Sequence, residues 1–132
     1  MSNKILNLSL IISIIFLFVS CGKDENKPAN EDPILISSDA SLFVTAPWPE
    51  FTFNLSIDSA IPPAGVYVDY SVVGEIDGVE YFRGGRLQVN AQKLTLRVQS
   101  LPRQKICVVT VKVVSKGNSN NSAQTSFRVT YK

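Results

Sequence analysis

The sequence from Pro33 to the C terminus predicts an all-β fold, an antiparallel β-sandwich of about seven to nine strands. Apolar and polar side chains alternate there with a period of two, which is the periodicity of strands buried on one face. Clusters of Gly, Pro, Asn and Asp interrupt this alternation about every 8–12 residues, as in sandwiches and barrels. No segment has helical periodicity, and a parallel sheet would need long crossover connections for which these turns leave no room.

The first half of this region is predicted to contain four strands separated by polar or proline-rich turns. Residues 34–36 and 42–44 are two short apolar runs, and Phe51–Ile57 alternates strictly between apolar and polar side chains. The sequence Pro62-Pro63-Ala64-Gly65 predicts a chain reversal. The alternation then resumes in a long strand over residues 66–76.

The second half is predicted to continue through tight turns. Asp77-Gly78 is a strong signal for a two-residue hairpin loop, because both residue types tolerate positive φ. Gly84-Gly85 predicts a further reversal between short strands at 79–83 and 86–89. The remaining strands are predicted at residues 94–98, 105–115 and 125–131, with a flexible loop at 116–122.

Residues 105–115 are the longest β-branched stretch, and their alternation assigns one set of side chains to the core. The predicted inward set is Cys107, Val109, Val111 and Val113. Apolar side chains also point outward, and with two residues of the neighbouring strand they define a candidate partner surface: Tyr67, Val73, Ile106, Val108 and Val114. Two alternatives stay open: a loop or the N-terminal segment covers this face, or the strand is central and shielded on both sides.

Residues 1–20 have the features of a secretory signal peptide. Lys4 is the only charged side chain before an apolar run at 11–19, which is shorter than the roughly 20 residues of a membrane-spanning helix. Ser20 then precedes Cys21, and the chain becomes strongly polar. This pattern resembles the lipobox of bacterial lipoproteins, and the resemblance implies cleavage before Cys21 and membrane attachment through lipid on its thiol. The alternative is an uncleaved N-terminal anchor with an incidental cysteine.

Residues 21–32 are rich in Lys, Asp, Glu, Asn and Pro and are predicted to form a flexible tether. Within them, Lys23, Asp24 and Glu25 resemble the export signal that sends some Gram-negative lipoproteins to the outer face of the outer membrane. The resemblance implies a lipid anchor in the outer membrane and a position at the cell surface. Otherwise the triplet is only part of a solvated tether, and the protein faces the periplasm.

Composition excludes several classes of site. The chain has no histidine, which excludes Ser-His-Asp and Cys-His catalytic arrangements and histidine-containing zinc sites. With Cys21 lipidated, Cys107 has no disulfide partner, and we expect neither a metal site nor a cofactor. All acidic residues lie at or before Glu80 and most basic residues at or after Arg83. Because the bases are spread singly along strands, we expect solvated faces rather than nucleic-acid binding.

Two family resemblances refine the fold prediction. Residues 50–98 resemble the Calx-beta domain: Glu80-Tyr81 stands at the family's Asp-Tyr pair and is followed by Gly84-Gly85 and by strands at 87–89 and 94–96. Calcium-binding members carry acids in the next loop, whereas residues 101–105 are basic, so the resemblance argues against calcium. Residues 101–131 resemble fibronectin type III domains, with Cys107 at the place of the family's corner tyrosine. Both families have the immunoglobulin-like sandwich, which the resemblances imply for residues 33–132.

Three further groups of residues are candidates for chemistry or binding. Carboxylates concentrate around one predicted hairpin, where they are able to act as acid and base in glycoside cleavage or simply to solvate turns and strands: Asp69, Glu75, Asp77 and Glu80. Trp48, between two prolines, is either a sugar-stacking platform or a cap on the sandwich core. Asp58-Ser59-Ala60 resembles the acceptor for O-glycans in some bacteria that produce surface lipoproteins.

Together these expectations describe a lipid-anchored, non-enzymatic binding or structural accessory domain at the bacterial envelope, with an unknown protein or glycan partner. The alternative is a small glycan-directed surface hydrolase that uses the hairpin carboxylates. A carboxylate pair in a deep pocket would favour the hydrolase, whereas a flat polar sheet would favour the binding domain.

Overall fold

A computed structural model describes residues 30–132, which form nine strands and, within that range, no helix. Cys21, Lys23, Asp24 and Glu25 lie outside the described residues. The strands, numbered in chain order, are β1 (Ile36–Ser38), β2 (Phe43–Ala46), β3 (Phe51–Ile57), β4 (Val66–Gly74), β5 (Glu80–Arg83), β6 (Leu87–Val89), β7 (Lys93–Val98), β8 (Ile106–Ser115) and β9 (Ser122–Tyr131). The all-β sandwich predicted from the alternation is confirmed. No helix of the described chain is long and apolar enough to cross a membrane.

The strands are arranged in two sheets. The smaller sheet has the order β1-β3-β7, and the larger sheet has the order β2-β9-β8-β4-β5, with β6 also paired to β4. All neighbours are antiparallel except β2 and β9, which are parallel. The two short N-terminal strands therefore belong to different sheets, because the chain crosses from the smaller sheet to the larger one between Ser38 and Phe43.

The core lies between the sheets and consists of the inward side chains of the alternating strands. Phe53 packs edge-to-face against Phe127 with ring centroids 5.0 Å apart, which joins β3 to β9 across the core. The predicted inward set of β8 is confirmed, since its four members are at most 1% exposed: Cys107, Val109, Val111 and Val113. Burial raises the pKa of the Cys107 thiol, as expected for a cysteine that serves as a small core side chain.

The turn after β4 is longer than the predicted two-residue hairpin. Residues 75–79 form the loop, and the N–H of Gly74 donates to the carbonyl of Val79 (2.8 Å). The Asp77 carboxylate accepts a hydrogen bond from the N–H of Val79 (3.1 Å), and Gly78 has a φ of 66°. The prediction of positive φ at Gly78 was right, but Asp77 uses its side chain to build a wider turn.

Gly84-Gly85 does not reverse the chain, contrary to the prediction. Both β5 and β6 pair with the same edge of β4, through Arg83 opposite Ser71 and Leu87 opposite Val68. Three residues of the edge strand thus face two residues of β4, so the glycines lie in a bulge rather than a turn. The ring of Tyr70 occupies the space that a side chain at Gly84 would need.

The end of the predicted tether contacts the sandwich. Glu31 is half-buried, and its carboxylate accepts hydrogen bonds from the Ser115 hydroxyl (2.9 Å) and from the Asn121 side-chain amide (3.1 Å). The same amide donates to the carbonyl of Asp32 (3.0 Å). The chain therefore enters the domain at the end where β8 stops and β4 starts, since Ser115 pairs with Val66.

Candidate functional site

The sandwich has two ends: the chain enters the domain at one of them, the entry end, and the opposite one is the far end. The entry end contains Glu31, the start of β4 and the loop at residues 116–121. The far end contains the loops at residues 47–50, 75–79 and 99–105, where the N–H of Leu101 donates to the carbonyl of Pro49 (3.0 Å). The eight residue steps along β4 separate the two ends by about 26 Å.

The far end exposes large apolar side chains. Ile76 is 96% exposed at the tip of its loop, Trp48 is 68% exposed and Ile106 is 38% exposed. A cavity of about 370 Å³ lies between Ile76 and Ile106 and is completed by Asp77, Gln104 and Lys105. Trp48 therefore does not cap the core, and its role as a ligand-binding aromatic stays a prediction. The periodicity predicts that Ile76 is the last residue of the long strand, but β4 ends at Gly74 and Ile76 lies in the loop. Its place directly before Asp77-Gly78 is the signal for a loop tip.

Hydrogen bonds and ion pairs fix the loop that carries Ile76. The Asp77 carboxylate accepts hydrogen bonds from the Lys105 ammonium (2.8 Å) and from the Tyr81 hydroxyl (2.6 Å). Lys105 and Tyr81 hold the pKa of Asp77 well below its usual range, and the same contacts raise the pKa of Lys105. Glu75 pairs with Arg128 of β9, so three separate segments brace this loop.

The neighbouring loop at residues 99–105 is compact and strained. Ser100 and Gln104 both have left-handed backbone conformations, with φ of 59° and 58°, which cost about 1–3 kcal/mol each in residues other than glycine. Buried Leu101 and a hydrogen bond from the N–H of Gln104 to the carbonyl of Tyr131 (2.7 Å) hold this conformation. This loop forms one wall of the far-end cavity through Gln104 and Lys105, so that wall is held in place by the packing of Leu101 and by the hydrogen bond of Gln104.

The outer face of the larger sheet is not the single apolar surface that was predicted. Tyr67 lies opposite Val114, and Val73 lies opposite Val108, but these pairs are six residues apart along β4, or about 20 Å. Arg86 and Lys116 also cover the Tyr67 ring, with cationic atoms 5.0 and 5.2 Å from its centroid. Between the two pairs the outward residues are polar, so the predicted surface is divided: Asp69, Ser71, Thr110 and Lys112.

Each of the four hairpin carboxylates is held by a cation. Asp69 accepts two hydrogen bonds from the Nε of Arg86 (3.0 and 3.1 Å) and one from a terminal nitrogen (2.7 Å). Glu80 likewise forms a bidentate pair with the guanidinium group of Arg83. These guanidinium groups lower the pKa of Asp69 and of Glu80. Neither Asp69 nor Glu80 is therefore an acid with a raised pKa.

The remaining sequence candidates have structural surroundings of their own. Ser59 is half-buried, and its hydroxyl accepts a hydrogen bond from the N–H of Leu35 and donates to the carbonyl of Ala60 (both 3.2 Å). In the described part of the chain, no three His, Cys, Asp or Glu residues lie together as a metal site would require.

No protein-family model matches the chain, and no curated protein matches it either. Any functional proposal therefore depends on the N-terminal sequence and on the geometry of residues 30–132.

Proposed function

We propose that this protein is a lipid-anchored, non-enzymatic binding module of the outer membrane, exposed at the bacterial cell surface. The leader that ends in Ser20-Cys21 and the Lys23-Asp24-Glu25 triplet support the anchor and the location. We also propose an immunoglobulin-like fold of the Calx-beta or fibronectin type III kind. The strand orders β1-β3-β7 and β9-β8-β4 support it, since they match the A-B-E and G-F-C orders of that sandwich.

The observation that carries the binding role is the position of the exposed apolar side chains relative to the entry of the chain. Glu31 holds the tether to the entry end, and Trp48, Ile76 and Ile106 lie at the far end. A domain attached through Cys21 would thus carry these side chains at the end opposite to the one where its tether enters. Exposed apolar and aromatic side chains on a fixed loop are the usual anchors of protein interfaces.

A binding role accounts for the charges better than hydrolysis does. Glycoside cleavage needs one carboxylic acid with a raised pKa beside a second carboxylate. Arg86, Lys105 and Arg83 instead lower the pKa of Asp69, Asp77 and Glu80. The glycan-directed hydrolase is therefore the weaker proposal.

The anchor and the location can be tested with two cysteine variants. Cys21→Ala is expected to abolish palmitate labelling and membrane retention, because it removes the acylated thiol. Ile76→Cys is expected to react with a membrane-impermeant maleimide on intact cells, and buried Cys107 gives no background. Unchanged retention of Cys21→Ala would refute the lipid anchor. Labelling of Ile76→Cys only after permeabilisation would place the domain in the periplasm.

The binding role can be tested with the same Ile76→Cys variant after attachment of a benzophenone crosslinker. Irradiation of intact cells should give a discrete crosslinked species. Leu35→Cys is the matched control, because Leu35 is also an exposed apolar residue (60%) but lies at the entry end, where its N–H contacts Ser59. Equal crosslinking from both positions, or none from either, would contradict a binding surface at the far end.

A further inference from the structure

The bulge between β5 and β6 creates a polar groove on the outer face of the larger sheet. Because Gly84-Gly85 and Arg86 supply one residue more than the facing part of β4, the edge strand bows outward there. The groove has a volume of about 530 Å³, and its floor includes Ser71 of β4 and Thr110 of β8. No atom lies within 4 Å of the position that a side chain at Gly85 would take, so the wall is open at that point.

Positive charge predominates in this groove. Its charged residues are three cations and one carboxylate, a net charge of +2: Arg83, Arg86, Lys112 and Asp69. Glu80 neutralises Arg83 from outside the groove, and Arg86 donates hydrogen bonds to both carboxylate oxygens of Asp69. All three cations lower the pKa of the Asp69 carboxylate, and the hydrogen bond from Arg86 has the largest effect.

Among the groove cations, Lys112 is the one that has no partner within residues 30–132. It lies directly opposite Asp69 in the sheet, but the bidentate Arg86 already holds that carboxylate. Lys112 forms no ion pair or side-chain hydrogen bond with any residue between 30 and 132, although every arginine that lines the groove is paired. An anion in the groove would therefore meet an ammonium group that loses no existing ion pair on binding.

The other polar groups around Lys112 suit a hydroxyl-rich ligand. Ser71 and Thr110 are opposite each other in the sheet and supply two hydroxyl groups, and Gln124 of β9, opposite Lys112, supplies an amide. Each of these groups both donates and accepts hydrogen bonds, as sugar hydroxyls do. One free cation among such neutral groups matches a ligand with one anionic group among many hydroxyls.

We propose that this groove binds an acidic polysaccharide, whose carboxylate or sulfate group pairs with Lys112 while its hydroxyl groups contact Ser71, Thr110 and Gln124. A nucleic acid fits less well, because single-strand binding uses rows of cations and exposed aromatic faces, and Arg86 and Lys116 cover the Tyr67 ring. The groove lies on a sheet face, apart from the far-end loops, so this inference goes beyond the proposed function and is independent of the lipid anchor.

The test measures binding of the full chain, purified in detergent, to three immobilised polymers with one backbone: dextran, carboxymethyl-dextran and dextran sulfate. Single-stranded DNA is the fourth probe. Binding to one or both anionic dextrans is expected at about 0.1 M salt and should be lost at about 1 M, where charges are screened beyond about 3 Å. The preferred polymer identifies the anion as carboxylate or sulfate.

Lys112→Gln is expected to weaken binding to the anionic dextran about tenfold, because it removes one charge-assisted hydrogen bond. Lys93→Gln is the matched control, because Lys93 is exposed on β7 of the other sheet, and it should change affinity less than about twofold. Equal losses in both variants, or equal binding to neutral dextran, would overturn the proposal. Tighter binding of DNA than of either anionic dextran, with the same Lys112 dependence, would assign the groove to nucleic acid instead.

Discussion

Replacing Val109 with Ala tests which face of β8 forms the core. Val109 is 0% exposed and lies between Val72 of β4 and Phe127 of β9. The substitution removes two carbons, which corresponds to about 1.6 kcal/mol of lost burial at about 0.8 kcal/mol per methylene. The incompletely filled cavity adds to this, so the free energy of unfolding should fall by about 2–3 kcal/mol.

The adjacent residue provides a matched control. Val108 is half-buried on the outer face, opposite Val73 and Arg128, so Val108→Ala removes the same two carbons from partly solvated surroundings. We expect a loss below about 1 kcal/mol for this variant. The difference between the two variants isolates burial, because residue type, strand and substitution are the same.

Urea denaturation of a soluble form of the chain that begins at Gly22 would measure both changes. With a urea m-value of about 1–3 kcal/mol per M, Val109→Ala should lower the midpoint by about 1–2 M. The m-value should stay constant, which shows that the unfolded state is not altered. Equal losses for Val108→Ala and Val109→Ala would refute the reasoning, because a strand whose two faces are equally buried has no free outer face.

Two further predictions concern the far-end loop and the bulge. The folded-state pKa of Asp77 lies below its ordinary value of 3.8, so its contacts stabilise the domain fully above about pH 4, and this stabilisation is lost as the pH falls from there toward the lower folded-state pKa. Asp77→Asn should therefore reduce the loss of stability between about pH 5 and pH 2 in thermal unfolding. An unchanged acid profile would show that the contacts of Asp77 with Lys105 and Tyr81 do not stabilise the domain. Gly84→Ala should cost about 1–3 kcal/mol because its side chain would overlap the Tyr70 ring, whereas Gly85→Ala has open space and should be neutral or slightly stabilising in the same urea assay. Equal effects of the two alanines would show that Tyr70 does not fill the space at Gly84.

Local alternation was sufficient to predict most of the sandwich. The bounds of Phe51–Ile57 and the inward set that contains Val109 and Val113 were correct, because the direction of a side chain in a strand depends only on its position in the alternation. The bulge was not predictable in the same way. Gly-Gly suits a turn and a bulge equally, and the choice depends on whether the next residues return to β4, which is a non-local pairing.

The candidate sites show the same division between local and non-local information. Alternation predicted the outward direction of Val108 and Tyr67 correctly, but it could not predict their distance from each other, since that distance depends on how β4 and β8 align. The register also determines the isolation of Lys112, because it places Lys112 opposite an aspartate that Arg86 already holds. Neither relation is present in any single segment of the chain.

The far-end loop combines two properties that folding alone does not explain. At 96% exposure, Ile76 gains almost no burial in the folded domain, so its apolar side chain contributes little to stability. The loop that carries it is nevertheless fixed by Asp77 on Lys105 and Tyr81 and by Glu75 on Arg128. A partner that covers Ile76 would bury an apolar side chain without first having to order its loop, and such preorganisation reduces the entropic cost of association. The contacts that fix this loop and the exposure of Ile76 together therefore support the proposed binding role of this end.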